Sequence, residues 1–305
     1  MKILVATEKP FAPVAVKGIR DVVEAAGHEL VLLEKGTKED LKAAVADANG
    51  LIVRSDKVDK EVLDCAKELK VVVRAGAGYD NIDLAEATAK GVCVMNTPGQ
   101  NSNAVAELVF GMLVMMCRNC YNGTSGTELK DKTIGIHAYG QVGRNVARIA
   151  HGFGMTVLAF DPFVSAEAME ADGVTPVGSV EELYEKSLVV SLHIPANDAT
   201  RKSVVKGLVE RLPKNGILVN TARKEVIDEE SLMEALTERA DLRYIADVKP
   251  DAADAMKEKF GDRVFFTPKK MGAQTAEANI KAGIAAAEQV VAYLKDGWNK
   301  FQVNK

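Results

Sequence analysis

The chain of 305 residues has no basic block: 39 Lys and Arg are interspersed with 43 Asp and Glu, for a net charge of −4. Binding nucleic acid or an anionic membrane takes a concentrated positive field, so neither partner is expected. Long apolar runs are missing too. The longest, Leu108 to Cys117, ends at Arg118, too short to span a bilayer and suited to a buried helix. The first residues, MKILVATEKP, lack the apolar core and cleavage site of a secretory leader. Cysteine is sparse, with only Cys65, Cys93, Cys117 and Cys120, which points to a reducing compartment and to the cytoplasm. Cys117-Arg-Asn-Cys120 is a lone C-x-x-C without a second pair or a suitably spaced histidine. It reads as a helix end with free thiols, and no metal site is expected. Histidine occurs only at positions 28, 137, 151 and 193. There is no internal repeat and no low-complexity segment.

What is present is alternation. Apolar strands at 2–7, 29–34, 50–54, 71–74 and 92–95 are separated by helical stretches at 13–26, 38–48 and 60–70. That pattern predicts a parallel sheet wrapped by helices, ending at the loop Asn96-Thr97-Pro98-Gly99. A helix over 104–117 leads into a second series of strands at 133–137, 156–160, 188–192, 216–220, 242–247 and 263–267. A last helix, 276–295, is too long and apolar for a free tail and is expected to return to the first domain. The fold class is therefore α/β, with two doubly wound parallel-sheet domains and a cleft between them. Residues 1–97 and 283–305 would form one domain and 98–282 the other.

The stretch Thr133 to Asp161 carries the most specific signal. A strand, the turn Tyr139-Gly140-Gln141-Val142-Gly143, an amphipathic helix, a second strand and an acidic residue follow in the order of a dinucleotide-binding βαβ unit. Gly140 would let the backbone approach a pyrophosphate seated at the helix N-terminus, with Gln141 and Val142 beside it. Gly143 would let helix and strand pack closely. Asp161 would accept the adenosine ribose hydroxyls and repel a 2′-phosphate, favouring NAD over NADP. The fingerprint begins with Ala138 in place of glycine, and such a turn can also be purely structural in another α/β sheet.

Later strands end in residues able to do chemistry: Ser191-Leu-His193-Ile-Pro195, Asn220-Thr221-Ala222-Arg223, Ala246-Asp247 and Thr267-Pro268-Lys269-Lys270-Met271-Gly272-Ala273. Singly, Arg223 could cap a helix, Asp247 shape a loop and Lys269-Lys270 form a solvated pair. Four successive strand ends of this kind are harder to explain that way, because open α/β sheets place ligands there.

With VRSDK, VVVRAGAGYDNID, MNTPGQNSNAVAEL, SLHIP, LVNTAR and TPKKMGAQT in this order, the chain resembles the D-isomer-specific 2-hydroxyacid dehydrogenases over nearly its whole length. The resemblance implies a Rossmann-type cofactor domain and a flavodoxin-like substrate domain. It implies NAD as cofactor and a branch of the family that oxidises 3-phospho-D-glycerate to 3-phosphooxypyruvate on the way to serine. Arg223 would grip the substrate carboxylate and carbonyl oxygen. The turn from Ala75 and Gly76 through Ala77 and Gly78 would offer N–H groups to the carboxylate, with Ala77 also bordering the cofactor. Arg54, Ser55 and Arg74 would bind the substrate, with Arg54 the clearest sign of a phosphate, and Asn101 would border the pocket. Asp247 would hydrogen-bond the nicotinamide carboxamide. His193, Pro195, Thr221 and Gly272 would line the cofactor trough. Relatives usually dimerise through the cofactor domain, which makes the 104–117 helix a candidate surface for a homodimer. Nothing after the last helix suggests a regulatory module, so feedback by serine is not expected.

The pattern breaks where the family completes its site with histidine in T-P-H-x-G, paired to glutamate. No histidine follows Arg223. Counting back from Gly272 puts Lys270 at that position, while counting forward from Pro268 puts Lys269 there. Lys270 is preferred as the acid/base because Gly272 anchors the cofactor side of the turn. The glutamate position holds Ala252, with Asp251 the nearest acid. A lysine, with an ordinary pKa of ~10.4, needs no carboxylate to be protonated. Two other readings stay open: a dehydrogenase of glycerate, hydroxypyruvate or another unphosphorylated acid, and an NAD-sensing protein without turnover.

Overall fold

The computed structural model describes residues 1–304. Its first part runs β1 (Lys2–Thr7), α1 (Pro13–Ala25), β2 (Glu29–Glu34), α2 (Lys38–Ala44), β3 (Gly50–Val53), α3 (Lys60–Cys65), β4 (Val71–Arg74), α4 (Leu84–Ala89) and β5 (Cys93–Asn96). The second continues with α5 (Ser102–Cys117), β6 (Thr133–His137), α6 (Gln141–Gly152), β7 (Thr156–Phe160), α7 (Ala166–Glu170), β8 (Thr175–Pro176), α8 (Val180–Lys186) and β9 (Val189–Leu192). It is completed by α9 (Lys206–Val209), β10 (Ile217–Asn220), α10 (Glu229–Glu238), β11 (Arg243–Ala246), α11 (Ala253–Phe260) and β12 (Val264–Phe266), before the long α12 (Ala276–Asp296).

Two compact units result: Met1–Asn101 with the segment from Gln274 onward, and Ser102–Ala273. The chain thus crosses at 101/102 and 273/274 rather than at 97/98 and 282/283. Both crossings fall beside a helix start, α5 beginning at Ser102 and α12 at Ala276.

The first unit is a parallel sheet in the order β2-β1-β3-β4-β5, the flavodoxin-like arrangement. β3 is buried along its whole length, as expected of a strand covered on both faces. α1 and α12 cover one face through Ile19, Val23, Ala286 and Val290, and α2, α3 and α4 cover the other through Leu41, Val62 and Ala87. Asp59, Asp83 and Thr275 cap helices with their side chains, and Thr37 forms a reciprocal capping box with Asp40. α3 stops at Cys65, short of the expected 70. The Lys67 and Lys70 N–H groups donate instead to the Ala46 and Asn49 carbonyls, at 3.3 and 2.9 Å, tying that stretch to the loop after α2.

The second unit is a seven-stranded parallel sheet, β12-β11-β10-β9-β6-β7-β8. Strand order reverses at β6, which pairs with β7 on one side and β9 on the other. Such a switch point opens a crevice at the strand carboxyl ends, where doubly wound sheets take their ligands. α5 and α6 cover one face, through Val109, Leu113, Val146 and Ala150. Leu183, Leu208, Leu232 and Met256 fill the other. Among the described residues no helix is long and apolar enough to cross a membrane.

Candidate functional site

β6 and α6 are joined by Ala138-Tyr139-Gly140. Ala138 takes φ +81°, a conformation that costs a residue with a Cβ about 1–3 kcal/mol. This is the first glycine position of the fingerprint, so the substitution is strained. Gly143 has no such freedom of identity: a Cβ there would lie 2.5 Å from the Ala138 carbonyl oxygen and 3.0 Å from Ile136 Cγ2. A Cβ on Gly140, by contrast, would meet nothing within 4 Å, so the space in front of the turn is open. The first turn of α6 has neither a side-chain cap nor an acidic residue. Its N–H groups and dipole are therefore offered to an anion, and the residues present fit the pyrophosphate of a dinucleotide. Asp161 accepts the Tyr139 N–H on one carboxylate oxygen and the Phe163 N–H on the other, both at 2.8 Å. Each oxygen retains a lone pair for a ribose hydroxyl.

At the end of β9 the His193 ring lies deep in the fold, with Nε2 3.0 Å from Ser191 Oγ, while part of the residue reaches the surface. Desolvation and the neighbouring His137 push the His193 pKa down to about 3. Desolvation holds His137 down to about 4, with Asp161 opposing it. Both rings are thus neutral at physiological pH. Pro195 is exposed beside them, while Thr221, at the end of β10, is buried and its hydroxyl has no partner among the described residues.

The side chain of Asn220 clasps the following turn, accepting the Ala222 N–H at 2.9 Å and donating to the Arg223 carbonyl at 2.9 Å. The Ala222 carbonyl then points at two cations. Arg223 Nη1 donates to it at 3.0 Å and Lys270 Nζ at 3.3 Å. Lys270 is brought there by Asp247, whose carboxylate is fully buried at the end of β11. It accepts Thr267 Oγ1 at 2.9 Å, the Met271 N–H at 2.6 Å and the Gly272 N–H at 2.8 Å. Asp247, expected at a nicotinamide carboxamide, takes two donors on Oδ1 and one, the Gly272 N–H, on Oδ2. Gly272 suits that contact, since a Cβ would press on Asp247 Oδ2 at 3.0 Å. Lys269 is exposed. Asp251 pairs with Lys224 at 2.5 Å, and the Asp251 and Ala252 N–H groups donate to Glu229.

In the first unit, Arg54 donates to the Lys9 carbonyl at 3.2 Å and to Asn279 Oδ1 at 2.7 Å, with its guanidinium 5.1 Å from the Phe11 ring centre. Arg74 Nε donates to the Arg54 carbonyl at 3.0 Å. Gly76, at φ +149°, is what admits this arginine, because a Cβ there would fall 1.4 Å from Arg74 Nη1. The expected row of turn donors is only partly available. Ala75 N–H continues the sheet to Val53 O and Gly76 N–H closes on Arg74 O, each at 2.8 Å; no such backbone bond engages Ala77 or Gly78 among the described residues. Ser55 is exposed and lines a pocket of about 500 Å³ with Thr7, Lys35, Thr37, Lys38 and Lys57, apart from Arg54 and Arg74. Asn101 closes the first unit, half-buried. Among the described residues no group of three or more His, Cys, Asp or Glu side chains could hold a metal ion.

Comparison with known proteins gives the family. The family model for the NAD binding domain of D-isomer specific 2-hydroxyacid dehydrogenases matches residues 112–268. The D-3-phosphoglycerate dehydrogenase of Methanocaldococcus jannaschii is 37% identical over 276 residues, 85% of this chain and 52% of that protein. The hydroxypyruvate reductase of Thermotoga maritima is 33% identical over 271 residues, 83% of this chain and 87% of that one. An NAD⁺-bound 3-phosphoglycerate dehydrogenase from Entamoeba histolytica superposes with a TM-score of 0.87 at 48% identity, covering 100% of this chain and 99% of the other. The chain belongs to the D-isomer specific 2-hydroxyacid dehydrogenases, and residues 112–268 are its NAD-binding domain. It spans about half the length of the curated D-3-phosphoglycerate dehydrogenases it matches, 52% of the Methanocaldococcus protein among them.

Sequence reasoning missed Asn279, Phe11 and Lys9 around Arg54, and Asp172 beside Tyr139; none lies near its partner in the chain, and no local pattern marks them.

The neutral histidine pair carries a pH dependence. Both folded pKa values lie below the ordinary 6.5, so below that pH the unfolded chain binds protons that the folded chain refuses. Stability should be level above pH ~7 and fall from ~6.5 toward ~4, by up to about 1.4 kcal/mol per pH unit for each ring. Urea denaturation between pH 7 and 5 measures this. A flat profile, or one unchanged by His137→Asn, would reject the assignment.

Proposed function

We propose that this chain catalyses the NAD-dependent interconversion of 3-phospho-D-glycerate and 3-phosphooxypyruvate, as a step toward serine. The convergence of Arg223 and Lys270 on the Ala222 carbonyl carries the reading. It sets a fixed guanidinium and an ammonium side by side at the strand ends of the NAD-binding domain. NAD, when bound, supplies the hydride acceptor. Gly140, Gln141 and Val142 would hold its pyrophosphate, Asp161 its ribose, and His193, Pro195, Thr221 and Ala77 would border it, the unpartnered Thr221 hydroxyl being free to donate to a bound group.

The chain's own work is orientation and proton handling. The Arg223 fork binds the substrate carboxylate and the C2 oxygen, and stabilises the charge that oxygen gains as the oxoacid is reduced. Lys270 gives that oxygen a proton in the reductive direction and removes it in the oxidative one. Asp247 acts through the segment 267–272, holding Lys270 in reach. Arg54 and Arg74, linked through the Arg54 carbonyl, supply two adjacent cations for the phosphate, with Gly76 and Asn101 at the same end of the sheet.

Lys270→Ala should lower kcat by about 10²- to 10⁴-fold while NADH affinity stays the same. Lys269→Ala should change kcat less than about twofold, and the opposite ranking would transfer the role to Lys269. With NADH as reductant, kcat/KM for 3-phosphooxypyruvate should exceed that for hydroxypyruvate by about 100-fold, the worth of a doubly charge-assisted phosphate contact. Equal values would favour the activity named for the Thermotoga relative.

The apolar helix α5 leaves Leu108, Gly111, Val114 and Met115 only partly covered, a stripe at helical spacing that suits a second copy of the chain. Sedimentation should give the mass of a dimer, and Val114→Glu should yield a monomer; a monomeric parent chain would remove the partner.

A further inference from the structure

Ala138 poses a physical problem. The turn that meets the cofactor needs a left-handed φ at this residue, where glycine is at ease and alanine is not. Left to itself, an alanine turn would populate right-handed conformations, in which the Ala138 carbonyl no longer packs beside Gly143 and the open face of Gly140 is lost. Something must hold it.

The next residue is anchored at three points. The Tyr139 N–H donates to Asp161 at 2.8 Å. Its ring is completely buried in the core beneath α6, against Val146, Ala150 and their neighbours. Its hydroxyl donates to Asp172 Oδ2 at 3.0 Å. Burial, and then the bond to Asp172, raise the phenol's pKa, which keeps it a donor. Asp172 lies 33 residues further on, in the turn between α7 and β8, and both ends of α6 grip it. Arg144, in the first turn, pairs with the same carboxylate oxygen and lies 4.8 Å over the Tyr139 ring. His151, in the last, meets the Asp172 carbonyl at 3.2 Å. The Arg144–Asp172 pair is largely exposed and of little worth alone. The hydroxyl contact is the valuable one, because the phenol is buried and would otherwise lack a partner.

We propose that Asp172 is a positioning residue for the cofactor, which through Tyr139 holds the Ala138–Gly140 turn in its binding-competent conformation. Tyr139 and Asp172 do here what a first glycine does where one is present. Neither touches the reacting atoms. The inference rests on the turn being a dinucleotide site, and its test separates the two ideas.

NADH affinity is measured directly by fluorescence titration, with kcat at saturating NADH alongside. Tyr139→Phe keeps the ring and loses only the hydroxyl contact; Asp172→Ala removes the acceptor from an exposed position and leaves the core intact. Each should weaken NADH binding about fivefold and leave kcat at saturation within about twofold. Adding Ala138→Gly to either variant should restore affinity, because glycine removes the conformational penalty that the clamp offsets. A structural role in packing alone would not be rescued by a glycine at another residue. Affinity unchanged in both variants, or lost and not restored by Ala138→Gly, overturns the proposal while the cofactor site stands. Absence of NADH binding by the unaltered chain overturns the site reading and the proposal with it.

Discussion

A carboxylate sealed from water must find donors inside the protein, and Asp247 shows how much structure that need can fix. It is completely buried, and three donors from one short segment, Thr267, Met271 and Gly272, converge on its two oxygens. An unpaired charge in that place would cost several kcal/mol, so the segment after β12 has little freedom to leave. Lys270 rides on it. The backbone that carries this lysine is thereby set by an interaction with no chemistry of its own, and the Asn220 clasp does the same for Arg223.

The strands were legible because most of them read as plain apolar runs. β2 and β7 fall on the expected residues, and the switch point follows from their order. Helix ends were less legible. α3 stops where Lys67 and Lys70 find carbonyls in another loop, a tertiary contact that overrides local propensity. The two-residue strand Thr175–Pro176 is too short to leave any periodic signal. In the candidate site, the motif residues at strand ends were readable and the groups that steady them were not. Asn279 meets Arg54 across 225 positions and Asp172 meets Tyr139 across 33. The turn Ala75–Gly78 was read as a cradle of free N–H groups, but two of its donors continue the local fold. The glycine at 76 serves the approach of Arg74.

Two departures from the family pattern, the missing histidine and the missing glutamate, become one on the proposed reading. A histidine near neutrality needs a carboxylate to stay protonated for reduction; a lysine does not. The acids nearest in sequence are otherwise engaged. Asp251 faces Lys224, and Glu229 takes the N–H groups of Asp251 and Ala252 at the start of α11. Arg223 and Lys270 share the Ala222 carbonyl as acceptor.

The alanine in the fingerprint follows the same logic of compensation at a distance. A glycine at 138 would need no help, and the turn would be right at every level of the chain. Alanine makes it locally wrong, at a cost of about 1–3 kcal/mol, which the folded state can bear only if other contacts fix the same geometry. The far end of those contacts, Asp172, lies in the turn between α7 and β8. Reading such a fingerprint by its glycines alone understates it, because what a dinucleotide requires is the shape of the turn, and tertiary contacts can supply that shape as well as the residue can.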